Sequence, residues 1–128
     1  MPSFPCPCCG HLTLELGPGD YDLCRVCFWE DDPDQLRFPE SPRGANGYSL
    51  IEGQRTYSET GTSHAAFSSK VRAALAEEPI DSGWRMVDPE RDGYEREEGA
   101  LRVADDFDLA RLYWWRSTYW RKEAPNST

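Results

Sequence analysis

Four of the five cysteines fall into two pairs, Cys6 with Cys9 and Cys24 with Cys27, and this spacing limits the fold more than any other feature. The pattern is C-x2-C-x14-C-x2-C, close to the usual spacing of a zinc site. Two cysteines separated by two residues wrap a tight turn and offer two thiolates to one ion. Two such turns complete a tetrahedral shell of four sulfurs. Pro7 pre-sets the first turn, and Gly10 supplies backbone freedom just after its second sulfur. Both turns must reach the same end of the intervening segment, so a hairpin is expected between them. Four thiolates in tetrahedral array favour Zn2+, although iron also accepts such a shell. A closed four-sulfur shell leaves no position for water or substrate, so the expected ion is structural rather than catalytic.

Composition explains why such a staple is needed. The chain has 128 residues, of which 38% are apolar, and its mean hydropathy is −0.74. A thin core of this kind calls for reinforcement, and coupled zinc binding supplies on the order of 10 kcal/mol. No apolar run approaches the roughly 18 residues of a membrane span, and the opening MPSFPCPCC has neither a charged leader nor an apolar stretch. A cytoplasmic location is expected. In a reducing compartment, clustered cysteines hold metal more often than they form disulfides, and an odd count argues against a complete disulfide set.

Cys8 is the spare thiol. Its ordinary role is packing inside the first turn; the sharper alternative is a reactive thiol tuned by metal-bound neighbours. Replacing Cys9 by Cys8 as ligand would close a poorer C-x-C bite. His11 competes as a ligand only if a thiolate is missing.

Along the chain, residues 11–16 (HLTLEL) alternate as a half-buried strand, with Leu12, Leu14 and Leu16 on one face. The Gly-Pro-Gly-Asp cluster at 17–20 reverses the chain, and residues 21–23 return as the second strand. Residues 28–49 read as an irregular loop. Ser49 and Glu52 form a capping-box pattern opening a helix to about Ser58, with Leu50, Ile51 and Tyr57 towards the core and Gly53 as a weak point. Phe67, Val71, Ala74 and Leu75 predict a second helix, capped by Thr62 or Ser63 and ended by Pro79. Residues 84–87 read as a short strand within an acidic loop. Residues 108–122 predict a terminal helix capped by Asp108 or an earlier Asp.

Three blocks carry a further likeness: FPCPCCGHLTLE, CRVCFWEDDPDQ and RGANGYSLIEGQRTY. In order and spacing they resemble the bacterial cysteine-rich CPCC family, and weaker similarity runs through KVRAALAEEPIDSGW. The resemblance covers residues 4–84. It implies zinc binding at Cys6, Cys9, Cys24 and Cys27 and brings no activity with it. The acidic segment and aromatic tail beyond Trp84 lie outside it.

Charge directs the remaining expectations. The formal net charge is −9, and residues 77–108 carry twelve acids against four arginines. Residues 109–122 carry three arginines and one lysine with no acid. An acidic chain repels phosphate backbones, so nucleic acid is disfavoured as a partner. A protein with a basic or mixed surface fits better, and the profile matches an inhibitor or antitoxin-like protein. The candidate interface is Trp29, Glu30, Asp31 and Asp32 after the second cysteine pair, together with Tyr113, Trp114 and Trp120 in the tail. The plainer reading has Phe28 and Trp29 shielding the metal and the three acids capping a solvated loop. A second, oxygen-rich metal site at those acids has poor ligand periodicity. In the tail, the plainer reading packs Leu109, Leu112, Trp115 and Tyr119 inward while arginines meet the upstream acids.

Residues 43–47 resemble a phosphate loop superficially but lack the lysine, and Asn46-Gly47 reads as a turn. No nucleophile–histidine–acid set assembles, and His64 is expected on the surface. The alternatives to a binding module are a redox or hydrolytic enzyme using Cys8 or an acidic pocket, and a single-strand nucleic-acid binder using the aromatic, basic tail. The expected fold is α+β: a small zinc-ribbon β-hairpin packed with two or three α-helices. The expected division is residues 3–84 and residues 85–128, the latter packed on the former.

Overall fold

The structure is a computed structural model in which residues 3–121 are described. Its elements are short: strands β1 (Phe4–Pro5) and β2 (Leu12–Leu14), helices α1 (Pro33–Arg37) and α2 (Leu50–Thr60), and 3-10 turns at Ala65–Lys70 and Leu109–Leu112. The mixture of one two-stranded antiparallel sheet with helices is consistent with an α+β class.

The sheet is not the hairpin expected across residues 17–20. β2 instead folds back on β1 around the first cysteine pair, with Phe4 opposite Leu14, Pro5 opposite Leu12 and an irregularity between them. Leu14 is fully buried, whereas Leu16 is half exposed. Asp22 explains the early end of the strand, because its carboxylate accepts the Glu15 and Leu16 amides at 2.7 and 3.2 Å. Residues 21–24 pair with residues 29–31 instead. The Tyr21 amide donates to the Asp31 carbonyl, the Asp31 amide to the Asp22 carbonyl, and Leu23 bridges Glu30. Each cysteine pair is therefore the tip of its own small hairpin.

Helix α2 forms for the local reason its sequence states. The Glu52 amide donates to the Ser49 hydroxyl and the Glu52 carboxylate accepts the Ser49 amide, a complete capping box. Gly61, with φ of 84°, ends the helix in the left-handed region. Helix α1 lies in the stretch expected to be irregular. Asp32 caps it by accepting the Asp34 amide, and Pro33 occupies its first turn, where a missing N–H costs nothing.

Two expected helices are corrected. Residues 65–70 make a 3-10 turn capped by His64, and Val71 is already extended. The Ser63 amide donates to the Cys27 carbonyl and the Arg72 amide to the Arg25 carbonyl, so this segment is laid along the second cysteine turn. Tertiary hydrogen bonds replace the helical ones. Among the described residues of the tail, only Leu109–Leu112 is helical, as a 3-10 turn capped by Asp108. Leu112, Tyr113 and Trp114 are all buried. Three consecutive residues cannot all face one side of an α-helix, where neighbours stand about 100° apart. Residues 84–87 form no strand. Lys122 lies outside the described residues.

Residues 79–121 wrap the cysteine-bearing part. The Leu12 amide donates to the Pro79 carbonyl and the Asp81 amide to the Gly10 carbonyl. Arg116 pairs with Asp81 at 2.9 Å, and Arg37 with Glu95 at 2.6 Å. Among the described residues, no helix is long and apolar enough to cross a membrane.

Candidate metal centre

The two small hairpins bring Cys6, Cys9, Cys24 and Cys27 together, all buried, with their sulfurs within 4.8 Å of one another. Cys6 and Cys27 sulfurs lie 3.6 Å apart, and Cys9 and Cys24 sulfurs 3.7 Å. Those separations exclude disulfides, and all five cysteines are free. They do match a metal shell. Sulfurs at about 2.3 Å from one ion, at tetrahedral corners, stand roughly 3.8 Å from each other. The donor set therefore fits a single four-thiolate ion.

The electrostatics point the same way. Burial pushes the Cys6 and Cys27 thiols well up, and the neighbouring Cys24 sulfur raises Cys9. Cys24 alone is held down, first by the Cys27 thiol and then by Cys6 and Cys9, with Thr13 adding a hydroxyl at 3.1 Å. In this buried space one thiolate is stabilised at its neighbours' expense. Four thiolates require a compensating cation.

The backbone repeats itself at the two turns. The Gly10 amide donates to the Cys6 carbonyl and the Phe28 amide to the Cys24 carbonyl, while the Cys6 and Cys24 amides donate to His11 and Trp29. The residue after each second cysteine is left-handed, with φ of 83° at Gly10 and 71° at Phe28. At Gly10 a side chain has no room, because a Cβ would stand 2.5 Å from the Trp84 ring.

Cys8 is wholly buried. Its sulfur lies under α2, 3.2 Å from where a Cβ on Gly53 would stand. The glycine that weakens α2 locally is what lets the helix close over the first cysteine turn. A thiol so enclosed is placed to pack against its neighbours. The His11 ring contacts the Glu78 carbonyl at 2.7 Å through Nδ1 and is not part of the sulfur cluster.

The candidate interface residues are largely turned inward. Trp29 is completely buried and meets Tyr48 edge-on. Asp31 and Asp32 are buried, and only Glu30 is half-exposed. The physical reason is backbone capping: Asp32 accepts the Asp34 and Ala45 amides, and Asp31 accepts the Gly19 amide. Tyr113 and Trp114 are buried as well, the latter donating its indole N–H to the Arg85 carbonyl. Trp120 is half-buried against Phe107, its ring 5.4 Å from the Arg37 guanidinium.

Other residues that build the centre escaped the sequence reading. Buried Gln54 donates to the Pro7 carbonyl and accepts the Val87 amide, tying the first cysteine turn to the later segment. Buried Gln35 donates to the Ser41 and Tyr48 carbonyls and accepts from Asn46. Asn46 in turn pairs with the backbone of Glu30 through both amide atoms. The only advance signal was the joint presence of the FWEDD and GANGYSL blocks. Their side chains satisfy each other's backbones.

These blocks lie within a stretch that matches a family model. The model of the cysteine-rich CPCC family matches residues 4–78. The chain belongs to the cysteine-rich CPCC family. Its four-cysteine cluster is compatible with zinc binding. A comparison with curated proteins finds no match. In this CPCC chain the match includes both cysteine turns, α1, α2 and the 3-10 turn at Ala65–Lys70, and stops before the wrapping segment.

Proposed function

We propose that the chain is a zinc-stapled interaction module of the cytoplasm, in which one structural Zn2+ on Cys6, Cys9, Cys24 and Cys27 holds surfaces that bind a cationic protein. The observation that carries this reading is closure of the shell: four buried sulfurs at tetrahedral separations leave no ligand position for substrate. The ion supplies folding free energy and neutralises thiolates. The chain's own residues do the rest. Thr13 donates to the Cys24 sulfur, and the Cys27 amide donates to the same atom at 3.4 Å.

Support for a cationic partner comes from the loops around Tyr21. This residue is 52% exposed. Asp32 above all, then slight burial, Asp34 and Glu30, push its phenol up, which marks a negative field over an exposed aromatic. Asp20, next to it in the chain, and Asp34 are both exposed. Inward-facing Asp32 contributes field here rather than contact. The rivals have less to stand on: Cys8 is enclosed, and Tyr113 and Trp114 are not available for base stacking.

Metal analysis of the purified chain and a crosslinking survey test the two halves. The expected result is one zinc per chain and a retained basic protein whose capture weakens with salt. Capture unaffected by Asp20→Asn with Asp34→Asn would sink the acidic surface. A chain that folds identically after exhaustive chelation would sink the staple.

A further inference from the structure

Residues 60–76 contain no acid, the longest such stretch between Asp34 and Asp108. This segment covers the second cysteine turn: Phe67 packs on Phe28 with ring centroids 4.5 Å apart, and the Arg72 amide reaches the Arg25 carbonyl. Arg25, Arg55 and Lys70 are exposed here, and among the described residues none has a carboxylate within 4.0 Å. In a chain of net charge −9 this is an electrostatic exception.

A cavity of about 290 Å³ opens on the same face, lined by Tyr48, Glu52, Arg55, Thr56, Ser63 and His64. That is the lower edge of the roughly 300–1,000 Å³ typical of small-molecule sites. Its lining is rich in donors. The Arg55 guanidinium has only N–H groups to offer. His64 accepts the Ala66 amide at Nδ1, so its neutral ring carries the proton at Nε2. Tyr48 and Ser63 hydroxyls share one hydrogen bond at 2.6 Å, which leaves the pair one further proton to donate. Burial pushes the Tyr48 phenol up to about 12, so it stays a neutral hydroxyl. Glu52 is the one acid, and one of its oxygens is engaged by the Ser49 amide at 2.8 Å. Two other cavities differ in kind. In the one between Phe38 and Glu98 the lining arginines are already matched, Arg96 with Glu40 and Arg43 with Glu97. The third adds Arg121, which reaches Glu95.

We infer that this cavity is a binding site for a small oxyanion, a phosphate group or one of like shape, held by Arg55, His64 and the Tyr48–Ser63 hydroxyl pair. The guanidinium pairs with two oxygens, as its fork geometry favours, and the hydroxyls and Nε2–H take the others. The surrounding Arg25 and Lys70 bias approach of an anion to this face. The site lies beside the metal centre, because the Ser63 amide is bonded to the Cys27 carbonyl. It is independent of the acidic surface proposed above.

The test is a titration of the full-length, zinc-loaded chain with inorganic phosphate, read by amide chemical shifts, with chloride at matched ionic strength as control. Phosphate is expected to give saturable shifts confined to residues 48, 55–56 and 62–66, and chloride none. Arg55→Ala sits on an exposed helix position where Ala is a good helix former, so folding is retained. Loss of a charge-assisted bond predicts at least about tenfold weaker binding. His64→Asn keeps a capping acceptor for Ala66 and is expected to weaken binding about threefold. Arg91→Ala, an exposed arginine remote in sequence, should titrate as the parent does. The inference is overturned if phosphate gives no saturable shift, if R55A and H64N bind unchanged, or if R91A weakens binding equally. An acetate arm separates tetrahedral from planar recognition: binding equal to phosphate would overturn the assignment of a phosphate-shaped ligand.

Discussion

In the first cysteine turn the Gly10 amide donates to Cys6 at 2.7 Å and the Cys6 amide to His11 at 2.9 Å; in the second, Phe28 donates to Cys24 at 2.8 Å and Cys24 to Trp29 at 2.9 Å. The backbones are near copies. The residue after the second sulfur differs, although both copies hold it at positive φ. Glycine adopts that conformation freely, whereas a residue with a Cβ is held there at a cost of roughly 1–2 kcal/mol. Phe28 is retained because its ring packs on Phe67, which carries the cover of the second turn. Gly10 is retained because Trp84 rests where its side chain would be. One turn is covered by a ring approaching a bare backbone, the other by a ring projecting from it. The same sulfur geometry thus tolerates opposite packing solutions, provided something outside the turn supports the left-handed residue.

The comparison breaks most severely if the turns share one ion. Cys24→Ser, or removal of the metal by a chelator, is expected to abolish the ordered fold in both turns together, with a loss on the order of 10 kcal/mol. Near-ultraviolet circular dichroism of the tryptophans and bound-metal analysis read this out; loss of one turn while the other keeps its signal would refute a shared centre.

Next in size is the exchange at the left-handed position. Gly10→Ala adds both a strained φ and a collision with Trp84, and should cost about 2–4 kcal/mol in denaturant unfolding. Phe28→Gly relieves strain but loses the Phe67 contact. It should cost about 1 kcal/mol net, since the two effects oppose one another. A larger loss at Phe28 than at Gly10 would reverse the reading of the two turns.

The return strand of the second turn adds a pH dependence that the first lacks. Burial raises Asp31 from 3.8 to about 7, against help from the Gly19 amide and with Asp22, Asp32 and Asp20 adding repulsion. One of its oxygens, Oδ1, is buried without a partner among the described residues. The folded state therefore holds this proton more tightly than the unfolded chain does. Ionisation of Asp31 costs nothing below pH 3.8 and its full amount above about 7, so stability falls as pH rises through that window. Between pH 6 and 8, where the thiolates keep their metal, the zinc-loaded chain should lose about 1 kcal/mol that Asp31→Asn retains. Parallel pH profiles for the two proteins would show that Asp31 is ionised throughout.

The smallest effect separates Cys8 from its neighbours. Cys8→Ala should keep the metal and cost about 1 kcal/mol, while the parent thiol should resist alkylation in the zinc-loaded chain. Gly53→Ala is expected to destabilise α2 by a similar amount, against the usual gain from replacing a helical glycine, because the new Cβ meets the Cys8 sulfur and the Trp29 ring at 3.2 and 3.3 Å. A stabilised Gly53→Ala would mean the helix does not close on the first turn as described.

How much the chain disclosed in advance depended on the range of each interaction. The capping box at Ser49 and Glu52 was legible because both bonds close within four residues. Helix α1 also had its local signal, Asp32 before Pro33, but five residues among Pro, Gly and acids leave no apolar period to notice. The alternation of Leu12, Leu14 and Leu16 was real, yet Asp22 diverted the strand after Leu14. The acids after Trp29 looked like a surface because acids usually are solvated. Here Asp31 and Asp32 face inward to satisfy the amides of Gly19, Asp34 and Ala45.

The sequence alone determined the cysteine spacing, the family blocks, the acidic balance and the α2 cap, all features in which residues a few positions apart constrain each other. Tertiary structure decided the rest. It placed two hairpins where one was expected and laid the Ala65–Lys70 segment along the second turn. It drew Tyr113 and Trp114 into the interior, and it gathered Tyr48, Arg55, Ser63 and His64 around one cavity. The physical reason is that a thin core and a four-sulfur shell impose distances between remote residues, and local preference yields when a distant backbone amide or buried ring has no other partner.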